Sequence, residues 1–314
     1  RARRQVDPVA LADHLPQLGK LPELSAVKRD GVLPLTFSQE RMWLLNQLEP
    51  DGAAYNVAGA VLARGPLDAG LLERALQILV QRHELLRSSY LSDDGRPRLQ
   101  IAAELRASWR LEDVSSFADP LHEARLRASQ LAGQPFDVAR DVLLRPALFR
   151  LGPERHLLVL ALHHLITDAW SMGIMARELG EVYALLRSGR DVPAVSPALG
   201  YVDYAAWQRS AAVALRFQPQ LEYWKAALKD VEPLELPSDR PRLRPRSSRG
   251  AFEPFVLPAG LLEAVRGAAQ RAGTTPFMFL LAAFEVLLHR YTRQGDLVVG
   301  VPIANRNRLA SGGL

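Results

Sequence analysis

Two apolar stretches that end in a pair of histidines constrain the fold of this chain more than any other feature. Leu143–Arg150 and His156–Leu162 flank Gly152-Pro153, a dipeptide typical of turns, and therefore predict a β-hairpin. The second strand leads directly into His163-His164. Apolar residues then recur at helical spacing, with Ser171 as a suitable N-cap. The double histidine is thus expected in a loop between a buried strand and a helix.

The remainder of the chain alternates helical and extended patterns. Helices are predicted at Phe37–Leu48 behind a possible Ser38 cap, after Asp68 as a cap, and at Pro120–Ala132, Tyr201–Leu228, Leu261–Ala272 and Pro276–Tyr291. Strands are predicted at Val57–Arg64, Arg98–Ala102, Ser108–Leu111, Phe252–Leu257 and Leu297–Val301. This mixture predicts an α+β fold in two lobes.

Length and composition are those of a folded protein. The 314 residues suffice for about two domains, and 48% hydrophobic with 23% charged residues is ordinary globular usage. No window approaches about 18 uninterrupted apolar residues, and the start resembles no signal peptide, so we expect a soluble, cytoplasmic protein without a membrane partner. The first residue, Arg1, is not Met, which indicates a piece of a longer polypeptide.

Charge and cysteine content exclude several function classes. Cysteine is absent, which rules out disulfides, thiolate nucleophiles and Cys-based zinc sites. The net charge is +5, but basic and acidic residues alternate through most of the chain, so we predict no nucleic-acid partner. The densest basic run, Arg240–Arg246, is interleaved with prolines and is interpreted as a solvated linker, with phosphate binding as the less favoured alternative.

The double histidine is suited to proton transfer. Successive side chains of a strand point to opposite faces, so only one of His163 and His164 can enter a given cleft. The same alternation argues against a metal site, because metal ligands must converge. Histidine has an unperturbed pKa of about 6.5, which makes it suitable for accepting a proton from an amine.

Asp168, four residues after His164, has two possible roles. It could accept a hydrogen bond from a ring N–H and so select a tautomer, or it could pair with an arginine and brace the loop. A purely structural alternative stays open, in which both histidines are core residues and Asp168 is a helix cap.

Five segments in this order resemble the condensation domains of nonribosomal peptide synthetases. They are Leu35–Trp43, Arg82–Arg87, the motif of His163, His164 and Asp168, then Tyr201–Trp207 and Gly300–Arg306. The resemblance extends from Leu33 to Arg308. It implies two lobes similar to chloramphenicol acetyltransferase, forming a V with a central channel. On this basis residues 1–32 are a linker from an upstream domain, 33–190 the N-terminal lobe and 191–314 a partial C-terminal lobe.

The resemblance also implies the reaction and its partners. Donor and acceptor peptidyl carrier proteins present a thioester and an amine on phosphopantetheine arms, and the domain itself needs no cofactor or metal. Adjacent synthetase domains lie in the same polypeptide. His164 orients or deprotonates the amine in the channel, while His163 and Asp168 support it. The family pairs this aspartate with an arginine, for which Arg306 is our candidate.

Four more residues are assigned from their positions. Arg82 and Arg87 are expected to brace the first lobe. Trp170 either walls the channel or packs under the loop. Ala169 replaces the family's usual glycine, which is tolerated if its φ is negative and otherwise introduces strain. The sequence also stops after Leu314, before the family's remaining second-lobe motif, so the second lobe is expected to be incomplete.

Alternative functions remain within and beyond this family. The stretches Ser38–Pro50 and Arg82–Tyr90 are most similar to members that use an L-configured donor, with a starter type that attaches a fatty acyl group as the alternative. A coenzyme A-dependent acyltransferase of the same superfamily is the nearest rival. An epimerisation domain shares the double histidine but matches the other segments less well. A non-catalytic binding module is expected to have lost His164.

Overall fold

Helices and strands alternate along the residues that the computed structural model describes, which are 21–104, 106–194, 197–239, 250 and 253–303. The helices are α1 (Phe37–Leu48), α2 (Ala69–Arg82), α3 (Pro120–Ala132), α4 (Ala169–Arg187), α5 (Tyr201–Gln208), α6 (Ala211–Ala227), α7 (Ala259–Arg271) and α8 (Pro276–Thr292). The strands are β1 (Asn56–Arg64), β2 (Ser88–Asp93), β3 (Arg96–Ile101), β4 (Arg110–Asp113), β5 (Leu144–Gly152) and β6 (Arg155–His163). The predicted α+β class is confirmed.

The predicted hairpin lies at the centre of a four-stranded sheet. Strands run in the order β1-β6-β5-β4, antiparallel except for β4, which is parallel to β5. In β6, Leu158, Leu160 and Leu162 belong to the cluster formed with α2 and α4, while Leu157, Val159 and Ala161 belong to the cluster formed with α3. Both faces of β6 are thus buried, which explains its continuous apolar sequence.

The helix caps differ in part from those predicted. Asp68 caps α2 as expected, accepting a hydrogen bond from Leu71 N at 3.0 Å. The cap of α1 is Thr36 rather than Ser38, because the Thr36 hydroxyl accepts from Gln39 N and the Gln39 side chain accepts from Thr36 N. This reciprocal capping box satisfies two helix-terminal donors at once. Asp168, not Ser171, caps α4.

The predicted helix over 201–228 is two helices. α5 ends at Gln208 and α6 begins at Ala211, and between them the Ser210 hydroxyl accepts from Val213 N at 3.4 Å. A side chain that caps the next helix starts a new set of backbone hydrogen bonds, so the periodicity continues while the helix does not.

Contacts divide the chain into a compact unit that ends at Phe217 and another that continues from Gln218 to Ile303. The first extends beyond the predicted lobe limits of 33 and 190. Val27 N and Arg29 donate to Asp203 on α5, and Trp207 Nε1 donates to Pro22 O at 2.7 Å. Residues assigned to the linker and to the start of the second lobe therefore bind each other within this unit. The linker's first 20 residues lie outside the described chain.

The second unit is helical in its described part. α7 packs against α8, with Val265, Ala269 and Leu288 buried. The predicted strands at 252–257 and 297–301 are wrong for the described residues, which are irregular there, Phe252 itself being outside them. A strand requires a hydrogen-bonded neighbour, and an apolar run alone does not supply one. The basic run Arg240–Arg246 also lies outside the described residues.

No single helix among the described residues is long and apolar enough to cross a membrane; α7 and α8 pass that test only as a pair bent by 100°.

Candidate functional site

His163 ends β6, and His164 opens the five-residue loop that joins β6 to α4. His163 N donates to Leu143 O at 3.1 Å, which continues the pairing of β6 with the chain at β5. His164 N donates to Tyr55 O at 2.8 Å, just before β1. Ile166 N then donates back to His163 O at 3.1 Å, which makes the chain turn. The strands of the central sheet therefore hold the backbone of both histidines in place.

His163 is a buried, neutral side chain. It is 2% exposed, and its Nδ1 accepts a hydrogen bond from Leu165 N at 3.2 Å. The ring meets Phe136 edge to face, with 6.2 Å between centroids. Burial lowers the pKa of His163 to about 4, and the adjacent His164 adds to this effect. Because Nδ1 is the acceptor, the ring proton of the neutral form resides on Nε2.

His164 has the opposite tautomer. It is half-buried, and its Nδ1 lies 2.7 Å from Thr167 O. A carbonyl oxygen only accepts hydrogen bonds, so Nδ1 carries the proton and the lone pair of the neutral ring is on Nε2. Within the described chain, Nε2 has no hydrogen-bond partner. This nitrogen is therefore available to accept a proton.

The loop carboxylate does not hold the Nδ1 proton of His164. Asp168 Oδ1 accepts from Ser171 N and from the Ser171 hydroxyl, both at 2.7 Å, as the N-cap of α4. The position that sequence reasoning offered to Asp168 is occupied by the backbone carbonyl of Thr167. Side-chain type gives no sign of a backbone carbonyl's direction, so this partner was missed.

The residues after Asp168 lie on the surface of α4. Ala169 is the first residue of the helix, is exposed and does not have a positive φ. The condition under which alanine replaces glycine without backbone strain is therefore met. Trp170 is 49% exposed, which is more than packing under the loop would leave.

A buried network links the loop to two other segments. Leu165 O accepts from the Tyr90 hydroxyl at 3.0 Å and from Gln39 Nε2 at 3.3 Å, and Gln39 Nε2 also donates to Tyr90 Oη at 2.9 Å. Tyr90 is fully buried and Gln39 is 4% exposed. Gln39 falls in the segment Leu35–Trp43, whereas Tyr90 only ends the stretch Arg82–Tyr90 and was given no role of its own.

A second polar cluster, which we call the Arg29 clamp, joins Arg29, Glu84 and Asp203. Arg29 makes paired hydrogen bonds of 2.8 and 2.9 Å to Glu84 and of 2.7 and 3.0 Å to Asp203. Asp203 is 1% exposed and also accepts from Gly200 N at 2.6 Å. Burial by itself raises the pKa of Asp203, but these hydrogen bonds and the charge of Arg29 lower it overall.

A Cβ at position 200 would overlap the Glu84 carboxylate, so a larger residue in place of Gly200 would displace Glu84 from its position beside Arg29. Sequence reasoning missed Arg29, which was assigned to a linker.

The remaining arginine candidates are separate from the loop. Arg82 Nη1 lies 3.1 Å from Glu178 Oε2, so it connects α2 to α4. Arg87 Nη1 donates to Ala102 O after β3. Both contacts lie inside the first unit. Arg306 lies outside the described residues.

A cavity of about 610 Å³ lies along the β2–β3 hairpin, away from the histidines. Its lining includes Arg29, Glu84, Arg87 and Arg98, and no residue of the loop. The cavity is therefore not the place where the histidines would act. Within the described residues, no group of three or more His, Asp or Glu side chains is placed to hold a metal ion.

Comparison with known proteins points to one family. The family model described as "Condensation domain" matches residues 29–312. A linear gramicidin synthase of Brevibacillus parabrevis is 40% identical over 285 residues, which are 90% of this chain and 4% of that protein. This chain is therefore a small fraction of the length of that relative.

Solved structures agree with this match. The first condensation domain of the calcium-dependent antibiotic synthetase, with a bound substrate analogue, has a TM-score of 0.72 and 32% identity over 90% of this chain and 67% of that chain. The X-domain in complex with OxyB from teicoplanin biosynthesis has a TM-score of 0.76 and 29% identity over 87% of this chain and 60% of that chain. The fold expected from the five segments is confirmed.

Proposed function

Because the chain belongs to the condensation-domain family of peptide synthetases, we propose that it forms amide bonds between two carrier-bound substrates. The donor is an acyl or peptidyl thioester and the acceptor is the amine of an aminoacyl group. Both are carried on the phosphopantetheine arms of peptidyl carrier proteins, and adjacent domains of the same polypeptide supply them. No cofactor of the domain itself is required.

The tautomer of His164 is the observation that carries this proposal. Nδ1–H is held by Thr167 O at 2.7 Å, so the Nε2 lone pair is the basic site of the neutral ring. The amine attacks the thioester carbon, Nε2 accepts the proton that the amine loses, and the thiolate that leaves is protonated in turn. General base catalysis of this kind accelerates a reaction about 10²–10⁴-fold, and holding the two tethered substrates close together accelerates it further.

The other site residues have supporting roles in this proposal. His163, neutral and buried, fixes the start of the loop, and Asp168 caps the helix that follows it. Ala169 and Trp170 lie on the exposed first turn of α4, where they can line the substrate path. Arg82 and Arg87 brace the first unit, and Arg306 is kept as the partner of Asp168.

For the donor, we propose an L-configured or achiral acyl group, on the similarity of the segments Ser38–Pro50 and Arg82–Tyr90 to members of that type. A starter domain that attaches a fatty acyl group, and a transferase that uses coenzyme A, are the alternatives.

A binding module is the second candidate, since one matched structure is an X-domain bound to OxyB. A module that only binds has no need for a basic imidazole. His164 is present, half-buried, with its Nδ1 proton held in place. This arrangement favours a catalytic domain over a module that only binds a partner.

The test is condensation by the full chain with donor and acceptor loaded on their carrier proteins. We expect His164→Ala to lower product formation about 10²–10⁴-fold, measured by mass spectrometry. His122→Ala is the matched control, because it removes an exposed imidazole from α3 and is expected to leave turnover unchanged.

Each alternative has its own outcome in the same assay. Wild-type turnover by His164→Ala rules out its role as the base. Efficient use of free acyl-coenzyme A without a carrier protein identifies the coenzyme A-dependent class. A fatty acyl donor preferred over aminoacyl donors identifies the starter type. Absence of any product from the wild-type chain, together with capture of a partner protein, favours the binding module.

A further inference from the structure

We propose that Tyr90 and Gln39 are positioning residues for His164, which they orient by holding the carbonyl of Leu165. The inference rests on the proposed function, since it concerns the same base. Neither residue touches the imidazole. Both act on the loop whose backbone holds the ring.

The side-chain amide of Gln39 is held in one orientation. Its Oε1 accepts from Thr36 N at 3.0 Å and from the Thr36 hydroxyl at 3.2 Å. With that oxygen occupied on the capping side, the amide nitrogen must face the other way, where it donates to Tyr90 Oη and to Leu165 O. The capping box of α1 thus fixes the direction of the Gln39 Nε2 donor.

Tyr90 gives the stronger of the two contacts with the loop. Its hydroxyl accepts from Gln39 and donates to Leu165 O at 3.0 Å. Burial raises the pKa of the Tyr90 phenol, so at neutral pH it remains protonated and can donate. Without the Tyr90 hydroxyl, Leu165 O keeps only the longer hydrogen bond from Gln39 Nε2 at 3.3 Å, so this loop conformation is held less firmly.

The Leu165 peptide transmits this constraint to His164. Its N–H donates to His163 Nδ1 at 3.2 Å and its carbonyl is held by Tyr90 and Gln39, so both sides of this residue are fixed. Two residues later the chain presents Thr167 O to His164 Nδ1 at 2.7 Å. A shift at Leu165 therefore displaces the carbonyl that selects the tautomer and orientation of the base.

The test compares two Tyr→Phe variants of the full chain. Tyr90→Phe removes the hydroxyl from Leu165 O, whereas Tyr183→Phe removes an equivalent hydroxyl that accepts from Asp68 N at 2.9 Å, away from the loop. We expect Tyr90→Phe to lower kcat about 10- to 100-fold, the scale of a misplaced catalytic group, with KM for both loaded carriers within about threefold of wild type. Tyr183→Phe is expected to retain wild-type kcat.

Several outcomes would overturn the inference. One is that Tyr90→Phe, shown by circular dichroism to be folded, has the same kcat as Tyr183→Phe. Another is a rise in KM with unchanged kcat, which would place Tyr90 in substrate binding. If Tyr90→Phe does not fold, Gln39→Met provides the same kcat and KM comparison.

Failure of this inference is distinct from failure of the proposed function. If His164→Ala is inactive while Tyr90→Phe is fully active, only the positioning role is lost.

Discussion

Two polar networks, one buried and one partly exposed, hold distant segments of the first unit together, and they use opposite chemistry. The loop network consists of Gln39, Tyr90 and the backbone of residues 163–168, and all its side-chain groups are neutral. The Arg29 clamp consists of one guanidinium between two carboxylates. Both join segments that are far apart in sequence.

The difference follows from what each network is next to. A carboxylate against His164 Nδ1 would favour the protonated ring and so occupy the lone pair that a base needs. The Thr167 carbonyl selects the same tautomer without a full negative charge. The clamp shares no residue with the loop and can use ion pairs. Neutral groups therefore fix geometry beside the base, and charges attach Arg29 to α5.

Removal of the clamp's cation is expected to have the largest effect on stability. Arg29→Met leaves Asp203 and Glu84, 2% and 18% exposed in their side chains, without a counter-charge. A buried pair broken on one side costs about 3–5 kcal/mol, and the lower end applies because Arg29 itself is 34% exposed. Urea unfolding of the two proteins measures the difference.

The matched control is Arg266→Met, which breaks an exposed pair with Glu263. A change below about 1 kcal/mol is expected there. Equal losses in the two variants would show that the clamp is no more than a surface ion pair.

The second largest effect is expected in the pH dependence of the unfolding free energy, which differs between the two networks. The pKa of His163 is about 4 in the folded state and 6.5 in the unfolded chain, so the unfolded chain binds this proton more tightly. Above pH ~6.5 His163 is neutral in both states and does not affect stability. As the pH falls towards 4, protonation of the unfolded chain lowers the free energy of unfolding by about 3 kcal/mol. The pKa of Asp203 is lowered from 3.8, so the clamp loses its contribution only at lower pH.

His163→Asn isolates the contribution of the loop. Its side-chain oxygen can still accept from Leu165 N but does not titrate, so the unfolding free energy should fall less between pH 7 and pH 4 than in wild type. His156, whose pKa burial also lowers, contributes equally to both proteins. Identical slopes in the two proteins would contradict the burial of a neutral His163.

The smallest effect is expected at Ala169. Ala169→Gly restores the residue usual in the family, but the position is helical and exposed without a positive φ. Glycine there should reduce stability by about 0.5 kcal/mol through its larger unfolded-state entropy and leave turnover unchanged. Thermal unfolding and the condensation assay measure the two quantities. A marked rise in turnover would indicate that the methyl group obstructs the substrate.

Local patterns predicted most elements of the first unit. The apolar runs of β5 and β6, the stripe of α2 and the Asp68 cap are each properties of a few neighbouring residues. The same reasoning failed at 252–257 and 297–301, where apolar runs predicted strands. Strand formation depends on a partner that local sequence does not contain.

The candidate loop could be located from the sequence, but most of its contacts could not. The sequence pointed to His163, His164 and Asp168 as one loop and to different roles for the two histidines. It did not show that Thr167 O holds the Nδ1 proton, or that Tyr90 is part of the network. Such contacts join residues up to 126 positions apart, as for Gln39 and Leu165.

The sequence by itself determined the family, the mixed fold class and the motif histidines, because these reside in local periodicity and in the order of five segments. Only the tertiary structure decided which ring nitrogen of His164 carries the proton and which residues hold the loop. It also decided that Arg29 joins α5 to the 3₁₀ turn at Glu84–Arg87. The physical reason is that hydrogen bonds depend on direction and distance between groups brought together by folding.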